Sequence, residues 1–156
     1  MLFEVIIVVD KICQVYYDGS MKLSTRGRYA ASAMFDMACY AGGEPITAAV
    51  IAERQKISLT YLEQLLNRLR KSGLVETVRG PSGGYLLARK PSQISIGDVV
   101  RAADGPIALA DCVGKATHCH KSGCCSTRSL WKTLSNKVSK VLDSTTLADL
   151  CKEAKR

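Results

Sequence analysis

The chain has 156 residues, 47% hydrophobic and 23% charged, which is enough for one domain with a real core, short for two, and too apolar for a disordered chain. Its formal net charge of +8 fits an acidic partner such as nucleic acid, although a basic surface alone does not decide the matter. No run is long enough to span a membrane, and residues 2–9, LFEVIIVV, lack the basic start and cleavage site of a secretory signal.

The seven cysteines are odd in number and unevenly spaced. A cytoplasmic location is therefore expected, where clustered cysteines bind metal or sense redox state more often than they form structural disulfides.

Residues 1–20 differ from the rest: they are rich in Val and Ile and precede Met21-Lys-Leu-Ser-Thr-Arg-Gly-Arg. Two readings stay open, an extension upstream of a native start at Met21, or an added strand or arm. From Thr25 to Tyr40, Tyr29, Ala30, Ala33, Met34, Met37 and Ala38 recur at helical spacing, with Ser24 or Thr25 as cap and Gly42-Gly43 as stop. Cys39 in this helix reads as a small buried hydrophobe. Thr47 starts a second helix to about Gln55, and Lys56-Ile57 makes a tight turn. Ser58 caps a third helix that ends at Gly73, with Leu59, Leu62, Leu65, Leu66 and Leu69 as its apolar stripe.

Two short helices joined by a tight turn form a helix-turn-helix. Two strand-like runs, 74–78 and 85–88, flank the turn-rich segment Arg79-Gly80-Pro81-Ser82-Gly83-Gly84 and predict a hairpin wing. A further helix over 95–104 follows, then an irregular loop over 105–125. A long amphipathic helix from about Ser126 to Leu142 carries Leu130, Trp131, Leu134, Val138, Val141 and Leu142. A last short helix spans about 146–153 and includes Cys151, read as structural. The expected fold is mainly α with a small β-hairpin. It divides into an extension (1–20), a winged helix-turn-helix domain (21–104), a cysteine loop (105–125), and a dimerisation helix with a terminal helix (126–156).

The polar face of the third helix supplies groups suited to DNA. Gln64 and Asn67 can pair with adenine edges, and Glu63 can accept from a cytosine amino group. Ser58, Thr60, Tyr61, Arg68 and Lys71 suit the sugar–phosphate backbone. Gly80, Ser82 and Gly83 let the wing approach phosphates, and Arg79 can reach the minor groove. Each residue alone also fits a solvated helix face; the wing and the charge together favour DNA. Glu63, a carboxylate near phosphates, is expected to set specificity rather than affinity.

Four cysteines, Cys112, Cys119, Cys124 and Cys125, crowd one loop with His118 and His120. Six residues separate Cys112 from Cys119 and five separate Cys119 from Cys125, wider than the two to four of most structural zinc pairs. An iron–sulfur cluster on thiolates is therefore the leading expectation, with zinc and metal-free thiol sensing as alternatives.

The segments MKLSTRGRYA, ISLTYLEQLLNRLRKSGLVETVRGPSGGYLLAR and SIGDVVRAAD closely resemble the Rrf family of winged-helix regulators, in particular its iron–sulfur cluster regulators, over about residues 21–150. The resemblance implies a homodimer on roughly palindromic promoter DNA, with a cluster as sensor. By position Cys112, Cys119 and Cys125 match the family's cysteine ligands, Glu63 its specificity-switching glutamate, and Ser58, Tyr61, Gln64 and Arg79 its DNA-contact regions. Two positions depart from the pattern: Arg128 replaces a ligating histidine, and Arg28 stands where other relatives carry an acidic ligand. The fourth ligand stays open among Cys124, His118, His120 and an outside thiol, with 2Fe–2S placed ahead of 4Fe–4S.

The expected function is a cytoplasmic, dimeric regulator that senses cluster, iron or redox status and controls promoters such as those of cluster-assembly genes. The alternatives are a cluster-free regulator controlled by a metabolic enzyme partner or by thiol oxidation, and a zinc-stabilised DNA-binding protein. The chain carries no phosphate-cradling glycine loop opening a helix and no nucleophile–base constellation, so an enzyme is not expected.

Overall fold

The computed structural model describes residues 23–114 and 124–154. The expectations placed on residues 1–20, Met21, His118, Cys119 and His120 lie outside these.

Helix α1, Thr25–Tyr40, starts at Ser24, whose hydroxyl accepts from the Gly27 amide at 3.1 Å. The same hydroxyl donates to Asp104 at 2.5 Å, and a Cβ at Gly27 would collide with that carboxylate. The start of α1 is thereby fixed against the end of a later helix. Small residues and methionines, Ala30, Ala33, Met34 and Met37, line the buried side of α1 and let neighbouring helices pack closely.

Helix α2, Ala48–Gln55, is capped by Thr47, whose hydroxyl accepts from Val50 at 3.4 Å. Lys56 takes the left-handed conformation at φ 55°, and its amide bonds the Ala52 carbonyl, closing α2 and turning the chain. Helix α3, Leu59–Lys71, buries Leu62, Leu65, Leu66 and Leu69. Burial of each stabilises the fold by about 1.5–3 kcal/mol relative to exposure. Two details of the expected helix are corrected. Ser58 has the extended backbone of a cap but makes no side-chain cap bond, and Leu59 is 43% exposed because it precedes the first turn that faces the core.

Strands β1, Val75–Val78, and β2, Gly84–Leu87, form an antiparallel hairpin with Thr77 opposite Tyr85. Ile46 adds a third short rung: its amide and carbonyl both pair with Tyr85, at 3.0 and 2.8 Å. Gly84 permits this approach, since a Cβ there would overlap the Ile46 carbonyl. A 3₁₀ turn at Pro91–Gln93 leads to α4, Ile96–Asp104, whose start is a capping box between Ser95 and Asp98.

The segment expected as an irregular loop contains a short helix, α5, Asp111–Gly114. Helix α6 spans Arg128–Ser144, two residues later than expected at each end. Only Ser135 of α6 is buried; its hydroxyl donates to Trp131 O at 2.8 Å and accepts from the Leu109 amide at 3.0 Å. Leu130 and Val141 stay 52% and 63% exposed, so the apolar face of α6 is only partly covered. Helix α7, Leu147–Ala154, is anchored at its start, where Leu147 is fully buried and its amide bonds Ile94 O, while Ile96 N bonds Thr145 O. The fold is a mainly α-helical winged helix-turn-helix with a small antiparallel hairpin and a long C-terminal helix. No described helix is long and apolar enough to cross a membrane.

Asp36, on α1, is fully buried and is held by two residues at the end of α2: Arg54 Nη1 donates at 3.0 Å and Gln55 Nε2 at 2.9 Å. Arg54→Ala should cost about 2–3 kcal/mol in a denaturant melt, because a buried carboxylate loses its counter-charge while solvent near Arg54 softens the loss. A cost under about 0.5 kcal/mol, that of an ordinary surface change, would contradict this.

Burial pushes the Asp98 carboxyl up, but the Ser95 amide and hydroxyl and the Arg101 guanidinium outweigh it and hold it below its usual 3.8. The Thr146 hydroxyl and amide likewise hold Asp149 low. Both groups stabilise the fold above the unfolded value, and that contribution is lost as pH falls through the lower folded value. Asp98→Asn should therefore melt below wild type at neutral pH, the two converging under strong acid. A gap that is constant with pH would refute the assignment.

Candidate nucleic-acid interface and thiol site

Helical geometry sets the face of α3 that is available. Its four buried leucines turn Thr60, Glu63, Gln64, Asn67, Arg68 and Lys71 outward, and all six are exposed, as is Ser58. Positions 60, 64, 67 and 71 fall on one strip of the helix. Tyr61 differs: it is half-buried, its ring edge-on to Tyr29 at 6.0 Å, so it braces α3 on α1. The wing brings Arg79, Gly80 and Ser82 to the surface, with Gly83 half-buried. Gly80 has φ 122°, and a Cβ at Gly83 would overlap the Val78 and Gly80 carbonyls, so the tight wing turn needs glycine at both.

Arg70 was missed in the sequence. It is exposed on α3 and donates to Asn67 Oδ1 at 3.0 Å. Pairing of Asn67 with adenine would use the same oxygen, whose second lone pair lies beside Arg70. Gln64 carries no such contact. Arg68, Arg70 and Lys71 crowd the last turns of α3, and Arg79 adds a fourth cation at the wing base.

The expected cysteine-ligated iron–sulfur cluster is overturned. Among the described residues no three His, Cys, Asp or Glu side chains gather as a metal site. Cys112 lies in α5, and Cys125 precedes α6, its Sγ 3.2 Å from Thr127 Oγ1. Arg128, at the position of a family ligand, donates through Nε to the Cys112 carbonyl at 3.3 Å. A permanent cation that cannot ligate thus stands beside the chain segment that would carry the first thiolate. The described donor set does not fit a cluster or a zinc ion, and the 2Fe–2S, 4Fe–4S and zinc expectations for Cys112, Cys119, Cys124 and Cys125 are withdrawn with it.

The structure joins a different pair. Cys39 in the last turn of α1 and Cys151 in α7 form a disulfide, with Cα atoms 5.6 Å apart across 112 residues of sequence. Cys39 is thus neither a buried hydrophobe nor isolated. Both residues are half-buried. On the chain-entropy account, closing a loop of this length stabilises the fold by about 4–5 kcal/mol. No spacing rule could reveal the pair, since each half sits alone in its own amphipathic helix.

The fold recurs in known proteins. A family described as "Rrf2: Iron-dependent Transcriptional regulator" matches residues 23–153. The HTH-type transcriptional regulator IscR of Yersinia pseudotuberculosis is 48% identical over 130 residues, covering 83% of this chain and 79% of IscR. Among solved structures, CymR of B. subtilis, the global cysteine regulator, superposes with a TM-score of 0.72 at 38% identity, covering 85% of this chain and 97% of CymR. The oxidized form of Staphylococcus aureus CymR superposes at 0.67 with 36% identity, covering 83% of this chain and 95% of CymR. With the helix-turn-helix, the wing and this extent of similarity in place, the chain belongs to the Rrf2 family of DNA-binding transcriptional regulators, which are not enzymes.

Proposed function

We propose that this protein is a homodimeric, cytoplasmic transcriptional regulator that binds double-stranded promoter DNA through α3 and the Arg79–Gly84 wing, with an affinity set by the oxidation state of Cys39 and Cys151. The observation that carries the redox part is the placement of the disulfide. Cys39 lies one helical turn beyond Asp36, the carboxylate that holds the end of α2 at Arg54 and Gln55. The next residues are the Lys56 turn and α3. A change at Cys39 therefore acts close to the joint that aims the recognition helix.

Formation of the bond removes two electrons and two protons from the two thiols. A small-molecule disulfide can take them by exchange and leave as two thiols. In a reducing cytoplasm such a bond is transient, which suits a sensor rather than a permanent brace. That S. aureus CymR, a relative of the same fold, has a solved oxidized form supports the same reading. The partly covered apolar face of α6, from Leu130 to Val141, supports a second copy packed along it.

On α3, Gln64 and Glu63 read base edges, while Ser58, Thr60, Arg68, Lys71 and the wing fix the protein on the phosphates. Arg70 joins the phosphate set. Tyr61 acts mainly by bracing α3 against Tyr29.

Fluorescence anisotropy on a palindromic duplex tests the switch. Reduced and oxidised wild type should differ in Kd by about 5–150-fold, and Cys39→Ser or Cys151→Ser should abolish the dependence on reductant. Equal affinities in the two states would end the redox reading while leaving the DNA reading intact. For the interface, Glu63→Ala should relax discrimination among sites by about 1–3 kcal/mol, whereas Arg68→Ala should weaken all sites alike and lower the salt slope by about one. A Glu63→Ala protein with unchanged site preference would contradict its assignment.

A further inference from the structure

Five leucines lie on α3, and one of them stands outside the core. Leu62, Leu65, Leu66 and Leu69 are at most 1% exposed, whereas Leu59 is 43% exposed. Nor does Leu59 belong with the partly buried residues, such as Tyr61 and Leu87, that pack against the core from its edge. The fold gains little from an apolar side chain at this position.

The place of Leu59 on the helix is informative. It opens the first turn of α3, directly after Ser58, whose side chain makes no cap bond. Glu63 follows it by one turn, and side chains four residues apart on a helix have Cβ atoms about 5–6 Å apart. Leu59 and Glu63 thus form a short exposed row beside the strip of Thr60, Gln64 and Asn67. In a helix-turn-helix the N-terminal residues of the second helix are the ones that reach base edges. A leucine at that end faces the floor of the groove once DNA is bound.

The major groove presents one apolar group, the C5 methyl of thymine. Neighbouring bases on a strand rise by about 3.4 Å, so two side chains one helical turn apart can meet two adjacent bases. We infer that Leu59 is a specificity-determining residue: it packs on the C5 methyl of a thymine adjacent to the cytosine that donates its amino hydrogen to Glu63. The carboxylate reads a donor and the leucine reads a methyl, so together they specify a pyrimidine step that neither residue specifies alone. A purine in place of the thymine would set its N7 acceptor against leucine and leave it without a partner. The inference rests on the reading of α3 as the recognition helix and of Glu63 as a base reader.

The test uses the reduced, full-length protein and the duplex that it selects from a random pool. Each thymine in turn is replaced by deoxyuridine, which removes the C5 methyl and leaves every hydrogen-bonding group in place. One uracil per half-site, adjacent to the cytosine at which Glu63→Ala relaxes discrimination, should weaken binding about fourfold, the effect of one buried methyl group. Leu59→Ala should bind the thymine duplex more weakly by a similar factor and be indifferent to that uracil. Leu59→Met keeps an apolar contact and should stay sensitive to it, and both variants should melt with wild type. The inference is overturned if no uracil weakens wild type, if the sensitive thymine is not adjacent to that cytosine, or if Leu59→Ala responds to uracil as wild type does. Failure of the underlying reading looks different: Glu63→Ala and Arg68→Ala would then leave both the selected sequence and the affinity unchanged.

Discussion

A carboxylate taken out of water must find charged or donating partners, and Asp36 finds both of its partners at one place, the end of α2. That demand fixes the helix-turn-helix against α1. Once Arg54 and Gln55 are held, the Lys56 turn can follow only one course, and α3 lands with its leucines in the core and its polar strip outward. Tyr61 against Tyr29 braces the same arrangement from α3. The direction in which the polar strip of α3 points is thus a consequence of where one buried charge is neutralised.

Helix α7 is attached to this frame at two points of different chemistry. Its first residue, Leu147, is buried and tied by backbone bonds around Ser95 and Thr146; its later turns reach α1 through the Cys39–Cys151 bond. Breaking the bond leaves the first attachment and removes the second. On the proposed redox reading, an α7 freed of the bond but still held by Leu147 and by Leu150 against the core is the alternative state that a regulatory signal would bias. Arg128 makes the contrast with a cluster-based sensor physical: it places a cation at a ligand position and spends a guanidinium hydrogen bond on the Cys112 backbone.

Much of this architecture is legible in the sequence. The α1 boundaries, the tight turn at Lys56-Ile57, the stripe of Leu62, Leu65, Leu66 and Leu69, and the glycine-rich wing all follow from periodicity and local backbone rules, whereas the left-handed Lys56 does not. Those rules fail where contacts are distant. The pairing of Ile46 with Tyr85, the capture of Asp36 by Arg54 and Gln55, and the bond from Cys39 to Cys151 each join segments that nothing local connects. The crowding of cysteines after Cys112 drew attention to the wrong sulfur atoms, because density along a chain is weaker information than proximity in space. At small scale, the contact of Arg70 with Asn67 Oδ1 one turn away is likewise visible only in the folded helix.

The central claim is that the state of the Cys39–Cys151 pair reaches the recognition helix through Asp36. The most direct measurement is the ratio of DNA affinities of oxidised and reduced protein, taken in wild type and in Asp36→Asn. The account predicts a large ratio in wild type that collapses towards one in the variant, with the disulfide still forming in both. A ratio left unchanged by Asp36→Asn would contradict the route and place the coupling elsewhere in the fold.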